Sequence, residues 1–150
     1  MHFGKKQSAA SAKPSPILPN EPIWLPLDEV ISLNQRIVEL TNEPYFLRDL
    51  GLLDSALHKA KNRWYYGEMD IAVLATSLLL GIAGNHPFEQ GNKRTGFVAS
   101  IMFLRANNYD FVAPDSDIVG EFIWRGVIGD IPEHRFLTAY RKCVVRDTTD

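Results

Sequence analysis

The chain has 150 residues, a formal net charge of −2, 45% hydrophobic residues and 23% charged residues. Such a chain is long enough for one domain with a single core, and its composition excludes a largely disordered protein. The small net charge predicts no direct binding of nucleic acid and no membrane association. Because Cys143 is the one cysteine, no intrachain disulfide can form, and we expect a cytoplasmic location.

Residues 1–22 are expected to form a flexible N-terminal tail, because they contain four prolines and no periodic apolar face. They also lack the apolar stretch that a signal peptide requires. The folded helical domain is therefore predicted over residues 23–150. Its longest apolar-rich run, IAVLATSLLLGIAG at residues 71–84, is too short to span a bilayer and indicates a buried core helix.

Apolar residues at helical spacing predict six helices along this domain. The first helix, in the run EVISLNQRIVELTN, has one apolar face formed by Val30, Leu33, Ile37 and Leu40. Asp28 stands before it as a cap or first-turn acid, and Pro44 ends it. The others are predicted over residues 52–61, 70–83, 95–106, 118–126 and from 132 or 133 to about 144. No alternating pattern is long enough for a sheet core, so we expect an all-α domain with room for one short β-hairpin near residues 61–67.

The segment HPFEQGNKRTG, residues 86–96, lies between two apolar helices and is dense in functional groups. A helix N-terminus leaves its first backbone N–H groups unpaired, and its dipole favours negative charge. Gly91 and Asn92 stand where the backbone is able to curl into an anion-binding nest, and Lys93 and Arg94 add two cations. Together these features predict a site for a di- or triphosphate.

His86 begins this segment, where it is placed to remove the proton from a hydroxyl that attacks a bound phosphate. Phe88 is expected to point inward and hold the loop to the core. Taken singly, a histidine before a helix is more often structural, and a Lys-Arg pair is more often solvated surface. Their density in one short segment favours a functional site.

The segment resembles the signature of the Fic/Doc superfamily, H-x-F-x-(D/E)-(G/A)-N-(G/K)-R. The matching positions are His86, Phe88, Gly91, Asn92, Lys93 and Arg94. The Thr95-Gly96 that follows is common in the death-on-curing (Doc) branch. RDLGLLDSAL at residues 48–57 and FLRANNYDF at residues 103–111 also resemble Doc proteins, so the resemblance covers about residues 24–146. It implies an all-α, Fic/Doc-type helical bundle with the active-site loop between two central helices.

The resemblance also implies that His86 is the general base for a hydroxyl of a target protein. Phe88 and residues 91–94 would then form the binding site for ATP, the co-substrate. Family members with glycine after the asparagine typically transfer AMP, whereas Doc proteins, with lysine there, transfer the γ-phosphoryl group. Lys93 therefore indicates a Doc-like toxin that phosphorylates a protein such as elongation factor Tu, with adenylyl transfer as the alternative.

Gln90 departs from the family pattern, because it occupies the place of the acidic residue that normally holds Mg²⁺. A neutral amide supplies an oxygen ligand but no charge. The neighbouring Glu89 is expected to point elsewhere, since it lies one residue along the loop. A further alternative is therefore a weakened enzyme, or an inactive binding module that retains the pocket.

Two regulatory or docking elements are also known in this superfamily. Many members have a flap hairpin that docks the target as an added strand, and the candidate residues here are Asn62, Arg63, Trp64, Tyr65 and Tyr66. For at least one of these aromatics, simple packing is the alternative. Some Fic proteins carry an inhibitory helix with the pattern (S/T)-x-x-x-E-(G/N), which has no match in this sequence. Control by a separate antitoxin protein is therefore expected.

Overall fold

The computed structural model describes residues 16–113 and 117–147. Within these ranges the chain forms six helices and one two-stranded antiparallel sheet, which confirms the expected helical fold. The helices are α1 Leu27–Leu40, α2 Leu50–Tyr65, α3 Ile71–Asn85, α4 Asn92–Ala106, α5 Asp117–Val127 and α6 Glu133–Cys143. The strands are β1 Tyr109–Phe111 and β2 Val144–Arg146.

Helix α3 lies at the centre of the core, and ten of its fifteen residues are buried. Small residues allow its two neighbours to approach closely. A Cβ atom at Gly96 of α4 would lie 2.8 Å from the carbonyl oxygen of Leu79, and one at Gly81 would lie 3.1 Å from the carbonyl oxygen of Ala56 of α2. Both ends of the segment between α3 and α4 are therefore fixed by tightly packed helices.

Helix α1 buries most of the expected apolar face: Val30 and Leu33 are buried, and Ile37 packs partly buried against the core. It begins at Leu27, after Pro26, with Asp28 in its first turn and no side-chain cap. Leu40 was expected on the buried face, but it is 84% exposed. Asn34 and Val38 are buried as well, and they share one face of the helix with Val30 because the three residues are spaced four apart.

Helix α2 contradicts the hairpin expected near residues 61–67. The helix is capped by the Asp49 carboxylate, which accepts from the backbone N–H of Leu52, and it continues to Tyr65. The backbone N–H of Tyr66 still donates to the carbonyl oxygen of Asn62 at 3.0 Å. Residues 62–65 are thus the last helical turn rather than a strand, because tertiary packing overrides the strand preference of adjacent aromatics.

The three aromatics of this turn differ in their surroundings. Trp64 is partly buried and packs against the core, which is the alternative given above for at least one of these aromatics. Tyr65 and Tyr66 are exposed, and the Tyr65 hydroxyl donates to the Glu21 carboxylate at 2.9 Å.

The sheet was not expected from the sequence. Strand β1 pairs with β2 in antiparallel register, with Tyr109 opposite Arg146 and Phe111 opposite Val144. Each strand has three residues, which is too short for a visible alternation of apolar and polar side chains. The pairing brings the end of α6 beside the end of β1, where the backbone N–H of Val112 donates to the carbonyl oxygen of Cys143 at 2.7 Å.

Part of the segment expected to be a flexible tail packs against the domain. The backbone N–H of Leu18 donates to the carbonyl oxygen of Met69, and that of Ile71 donates to the carbonyl oxygen of Pro16, both at 2.8 Å. Leu18 is itself buried. The folded part therefore begins before Trp24, while residues 1–15 lie outside the described residues. Among the helices of the described ranges, none has the length and apolar character needed to cross a bilayer.

Candidate active site

The loop between α3 and α4 lies where the sequence predicted it and has a left-handed residue at each end. His86 follows the last residue of α3 with φ 52°, and Gly91 precedes α4 with φ 76°. A Cβ atom at Gly91 would also lie 3.1 Å from the Val38 side chain, so glycine is favoured there by both conformation and space. These two residues turn the chain sharply and place the loop above the end of α1.

The inner side of the loop is held by Phe88 and Asn92. Phe88 is fully buried, as expected, and its ring lies 6.3 Å from that of Tyr45. The Asn92 side chain closes the loop onto itself: its Oδ1 accepts from the backbone N–H of Phe88 at 2.9 Å, and its Nδ2 donates to the Phe88 carbonyl oxygen at 2.8 Å. The Asn92 side chain thus helps to determine the shape of the loop.

Asn34 of α1 supports the loop from its buried side, and this role was not predicted from the sequence. Its Nδ2 donates to the carbonyl oxygen of Gln90 at 2.9 Å and to the Thr95 hydroxyl at 3.0 Å. The side chain is fully buried, and its Oδ1 has no hydrogen-bond partner among the described residues. A polar residue midway between Val30 and Val38, on the buried face of α1, was the signal in the sequence.

An extended segment after α1 runs beside the loop and fixes its first half. Leu47 forms an isolated antiparallel bridge with Phe88, and the backbone N–H of Glu89 donates to the Phe46 carbonyl oxygen at 2.9 Å. The Arg48 guanidinium donates to the carbonyl oxygen of His86 at 2.7 Å. The position of His86 therefore depends on residues about forty positions earlier in the chain.

The outer side of the loop forms an open pocket of about 350 Å³. It is lined by His86, Glu89, Gln90, Gly91, Asn92, Lys93, Arg94 and Trp124. Two of these positions were not expected from the sequence. Glu89, which was expected to point away, lines the pocket, and Trp124 reaches it from α5.

The N-terminus of α4 opens into this pocket. Gly91 supplies no side-chain cap, and the Thr95 N–H, bonded to the Gly91 carbonyl oxygen at 2.8 Å, is the first to close a helical turn. The preceding backbone N–H groups of the helix have no helical acceptors, and the helix dipole adds positive potential there. Such an uncapped helix start is the geometry that favours binding of an anion.

The two cations of the loop differ in their partners. The Arg94 guanidinium forms an ion pair with Glu43 and donates to the Thr41 hydroxyl at 3.1 Å. The Thr41 hydroxyl, followed by Arg94, holds the pKa of Glu43 below its usual range. Within the described residues Lys93 makes no ion pair. Lys93 is thus free to bind an anion, whereas Arg94 is held in place by a carboxylate.

The residues expected to form a docking flap are not brought to this site. Residues 62–66 precede the first residue of α3, whereas the loop follows its last residue. A helix of fifteen residues is roughly 22 Å long at 1.5 Å per residue. The start of α2, by contrast, lies beside the loop, since the Asn85 side chain donates to the carbonyl oxygen of Leu52 at 3.0 Å.

Comparison with known proteins identifies the family of the chain. No curated protein matches the chain significantly. The model of the Fic/DOC family matches residues 24–104, more than half of the chain. The match extends from just before α1 to near the end of α4, and so includes the loop together with Asn34 and the extended segment that hold it. By the loop and by the helices that support it, the chain belongs to the Fic/DOC family.

Proposed function

We propose that the chain transfers the γ-phosphoryl group of ATP to a hydroxyl of a target protein. Proteins of the Fic/DOC family generally transfer nucleotide-derived groups to proteins, and the group proposed here is the γ-phosphoryl group. One observation carries it: His86 shares a pocket with the open N-terminus of α4 and with Lys93 and Arg94. A proton acceptor thus stands beside an anion site.

In the proposed reaction the target hydroxyl oxygen forms a bond to the γ-phosphorus, and the bond to the β,γ-bridging oxygen breaks. The hydroxyl proton goes to His86, and ADP leaves with the electron pair of the broken bond. The backbone N–H groups at the start of α4, with Lys93 and Arg94, stabilise negative charge on the transferring group. Their fixed positions also orient the phosphate for attack.

Lys93 supports transfer of the γ-phosphoryl group over transfer of AMP. Lys93 lines the pocket, and its long side chain would occupy an anion subsite that glycine would leave open. A nucleotide that binds with its terminal phosphate next to His86 presents the γ-phosphorus to the target. Adenylyl transfer, in which the α-phosphorus lies there instead, is the second candidate.

Mg²⁺ is the ion expected with ATP, and the oxygen donors of the pocket fit it. Glu89 and Gln90 both line the pocket, and their side chains carry carboxylate and amide oxygens. The described residues contain no cluster of three or more His, Cys, Asp or Glu residues able to hold a metal. Mg²⁺ is commonly held by one or two carboxylates together with substrate phosphates, so we propose Glu89 as the carboxylate ligand. When bound, the ion would neutralise charge on the phosphates.

The decisive experiment uses ATP labelled on either the α- or the γ-phosphate. The protein is incubated with Mg²⁺, each ATP and a target protein, with elongation factor Tu as the first choice. Label on the target from γ-labelled ATP alone is expected, and label from α-labelled ATP alone would establish adenylyl transfer instead. If calorimetry detects no binding of ATP with Mg²⁺, both transferase proposals fail and the inactive binding module remains.

The target protein is proposed to dock along residues 44–49 rather than at residues 62–66. This segment is extended and borders the loop, and the Phe46 side chain is 56% exposed. Replacing Phe46→Ser is expected to raise KM for the target while leaving the affinity for ATP unchanged. The matched control is Tyr66→Ser, an exposed aromatic at the other end of α2. If Tyr66→Ser raised KM for the target more than Phe46→Ser, the target would dock at the end of α2 instead.

Control by a separate antitoxin is proposed as well, because the sequence carries no inhibitory helix of the known pattern. Addition of the product of a neighbouring small gene to the labelling reaction is expected to abolish transfer. Unchanged transfer with every such product would remove this part of the proposal.

A further inference from the structure

Trp124 lies in the candidate active site without a visible packing role. It belongs to α5, thirty residues beyond the loop, and lines the same pocket as His86 and Lys93. Its side chain is 43% exposed. An indole has a large apolar face and is well suited to contact a ligand when it lies in a pocket.

Helix α5 is fixed by other residues. Ile123 and Val127 are buried, and they lie four residues apart on one face of the helix. Gly126 allows α6 to approach so closely that a Cβ atom there would lie 2.1 Å from the Phe136 ring. The buried core of the described residues does not include Trp124. Packing of α5 therefore does not require an indole at this position.

The indole makes no ring pair with another aromatic among the described residues. The other two tryptophans are occupied elsewhere: Trp24 stacks on Phe103 at 5.5 Å, and Trp64 packs against the core. Of the three tryptophans, Trp124 is thus the one that lines the pocket at the start of α4.

We propose that Trp124 is the stacking platform for the base of the nucleotide. The inference rests on the proposed function and goes beyond it, because it assigns the base to α5 while the phosphates lie at the start of α4. Stacking of a base on an aromatic side chain strengthens binding by about 5- to 150-fold. A pocket of about 350 Å³ is at the small end of ligand sites, which is consistent with a base that has one face on the indole and the other towards solvent.

The test compares ATP with inorganic tripolyphosphate, which has the phosphate chain but no base. Dissociation constants are measured by calorimetry for the wild type, Trp124→Ala, Trp124→Phe and the control Tyr66→Ala. Trp124→Ala is expected to weaken ATP binding about 5- to 150-fold while leaving tripolyphosphate binding unchanged. Trp124→Phe keeps a ring and is expected to retain most of the affinity, and the control is expected to match the wild type.

Tryptophan fluorescence gives a second measurement that does not depend on the alanine variant being folded. ATP is expected to quench the emission of the wild type, and the quenching is expected to disappear in Trp124→Phe, which keeps Trp24 and Trp64. Equal losses of ATP and tripolyphosphate binding, or no loss of either, would overturn the stacking proposal. An effect confined to KM for the target protein would overturn it too, and would assign the indole to target docking.

Failure of this inference is distinguishable from failure of the proposed function. If the wild type binds tripolyphosphate and ATP equally well, the base is not recognised, but the phosphate site stands. If the wild type binds neither, the phosphate site itself is absent and the proposed function fails first.

Discussion

The loop between α3 and α4 has an inner and an outer side, which are built from different kinds of residue. On the inner side, Phe88, Asn92 and Asn34 are buried and carry no formal charge, and their contacts determine the path of the backbone. On the outer side, His86 and Lys93 are accessible. The comparison indicates that the inner side determines the shape of the loop, whereas the outer side carries the groups that we propose to act on a substrate.

This division can be tested by substitutions on each side. Those on the inner side should lower stability, with loss of activity as a consequence. Those on the outer side should change activity or binding while the free energy of unfolding stays the same.

The largest effect is expected for Phe88→Ala on the inner side. Removing this fully buried ring leaves a cavity and should lower the free energy of unfolding by about 3–5 kcal/mol. Urea denaturation followed by circular dichroism measures it. Tyr66→Ala, an exposed aromatic, is the control and should change stability by less than about 0.5 kcal/mol. A similar small change for Phe88→Ala would show that the ring does not hold the loop.

His86→Asn should have the largest effect on the outer side. Asparagine tolerates the left-handed backbone conformation found here, so the loop is expected to keep its path. Loss of the general base should slow label transfer by about 10²–10⁴-fold, with the urea midpoint and the ATP dissociation constant unchanged. A drop in the urea midpoint as large as that of Phe88→Ala would contradict the division of the loop into two sides.

Asn34→Ala should have an intermediate effect on stability. It leaves the carbonyl oxygen of Gln90 without its donor and should lower the free energy of unfolding by about 1–3 kcal/mol. ATP binding should weaken as well, because the loop above Asn34 loses its support. Gln35→Ala, an exposed neighbour on α1, serves as the control in both denaturation and calorimetry. Equal behaviour of the two variants would remove Asn34 from the inner side.

Glu43→Gln is expected to have the smallest effect. It frees Arg94 from its ion pair, so tripolyphosphate should bind more tightly, by less than about fivefold. Because the pKa of Glu43 is lowered, its carboxylate is charged and the ion pair is intact at every pH above the ordinary pKa of a glutamate. The ion pair is lost only as the pH falls through the lowered pKa. The ratio of the tripolyphosphate dissociation constants of the wild type and of Glu43→Gln should therefore be the same at pH 6 and pH 8. Weaker binding by the variant would show that Glu43 positions Arg94 for the anion.

The helices and the loop were predictable because their signals are contiguous in the sequence. Apolar spacing marks each helix, and the loop motif lies within eleven residues. The contacts that hold the loop were not predictable, because they join distant positions: Asn34 and Gln90 are 56 residues apart. Trp124 was missed for the same reason, since nothing near it in the sequence indicates a site.

The expected flap is an error of the opposite kind, because a local signal was present in the sequence but did not determine the structure. Three adjacent aromatics before a glycine are typical of a strand or loop, but residues 62–65 continue α2. Their local preference is weaker than the packing of the helix and of Trp64 against the core. The presence of Glu89 in the pocket was not predicted either, because left-handed residues at both ends of the loop determine its path.

The short sheet has a consequence for the second half of the molecule. Strand β1 precedes α5 and β2 follows α6, so their pairing closes the chain from Tyr109 to Arg146 into a ring joined by hydrogen bonds. Opening this ring would release the conformational entropy that its closure removes. Removal of residues 144–150 should therefore loosen α5 and α6 together, while the loop between α3 and α4 keeps its shape. Residues 144–146 are therefore expected to affect the proposed nucleotide affinity from a distance, through the helix that carries Trp124.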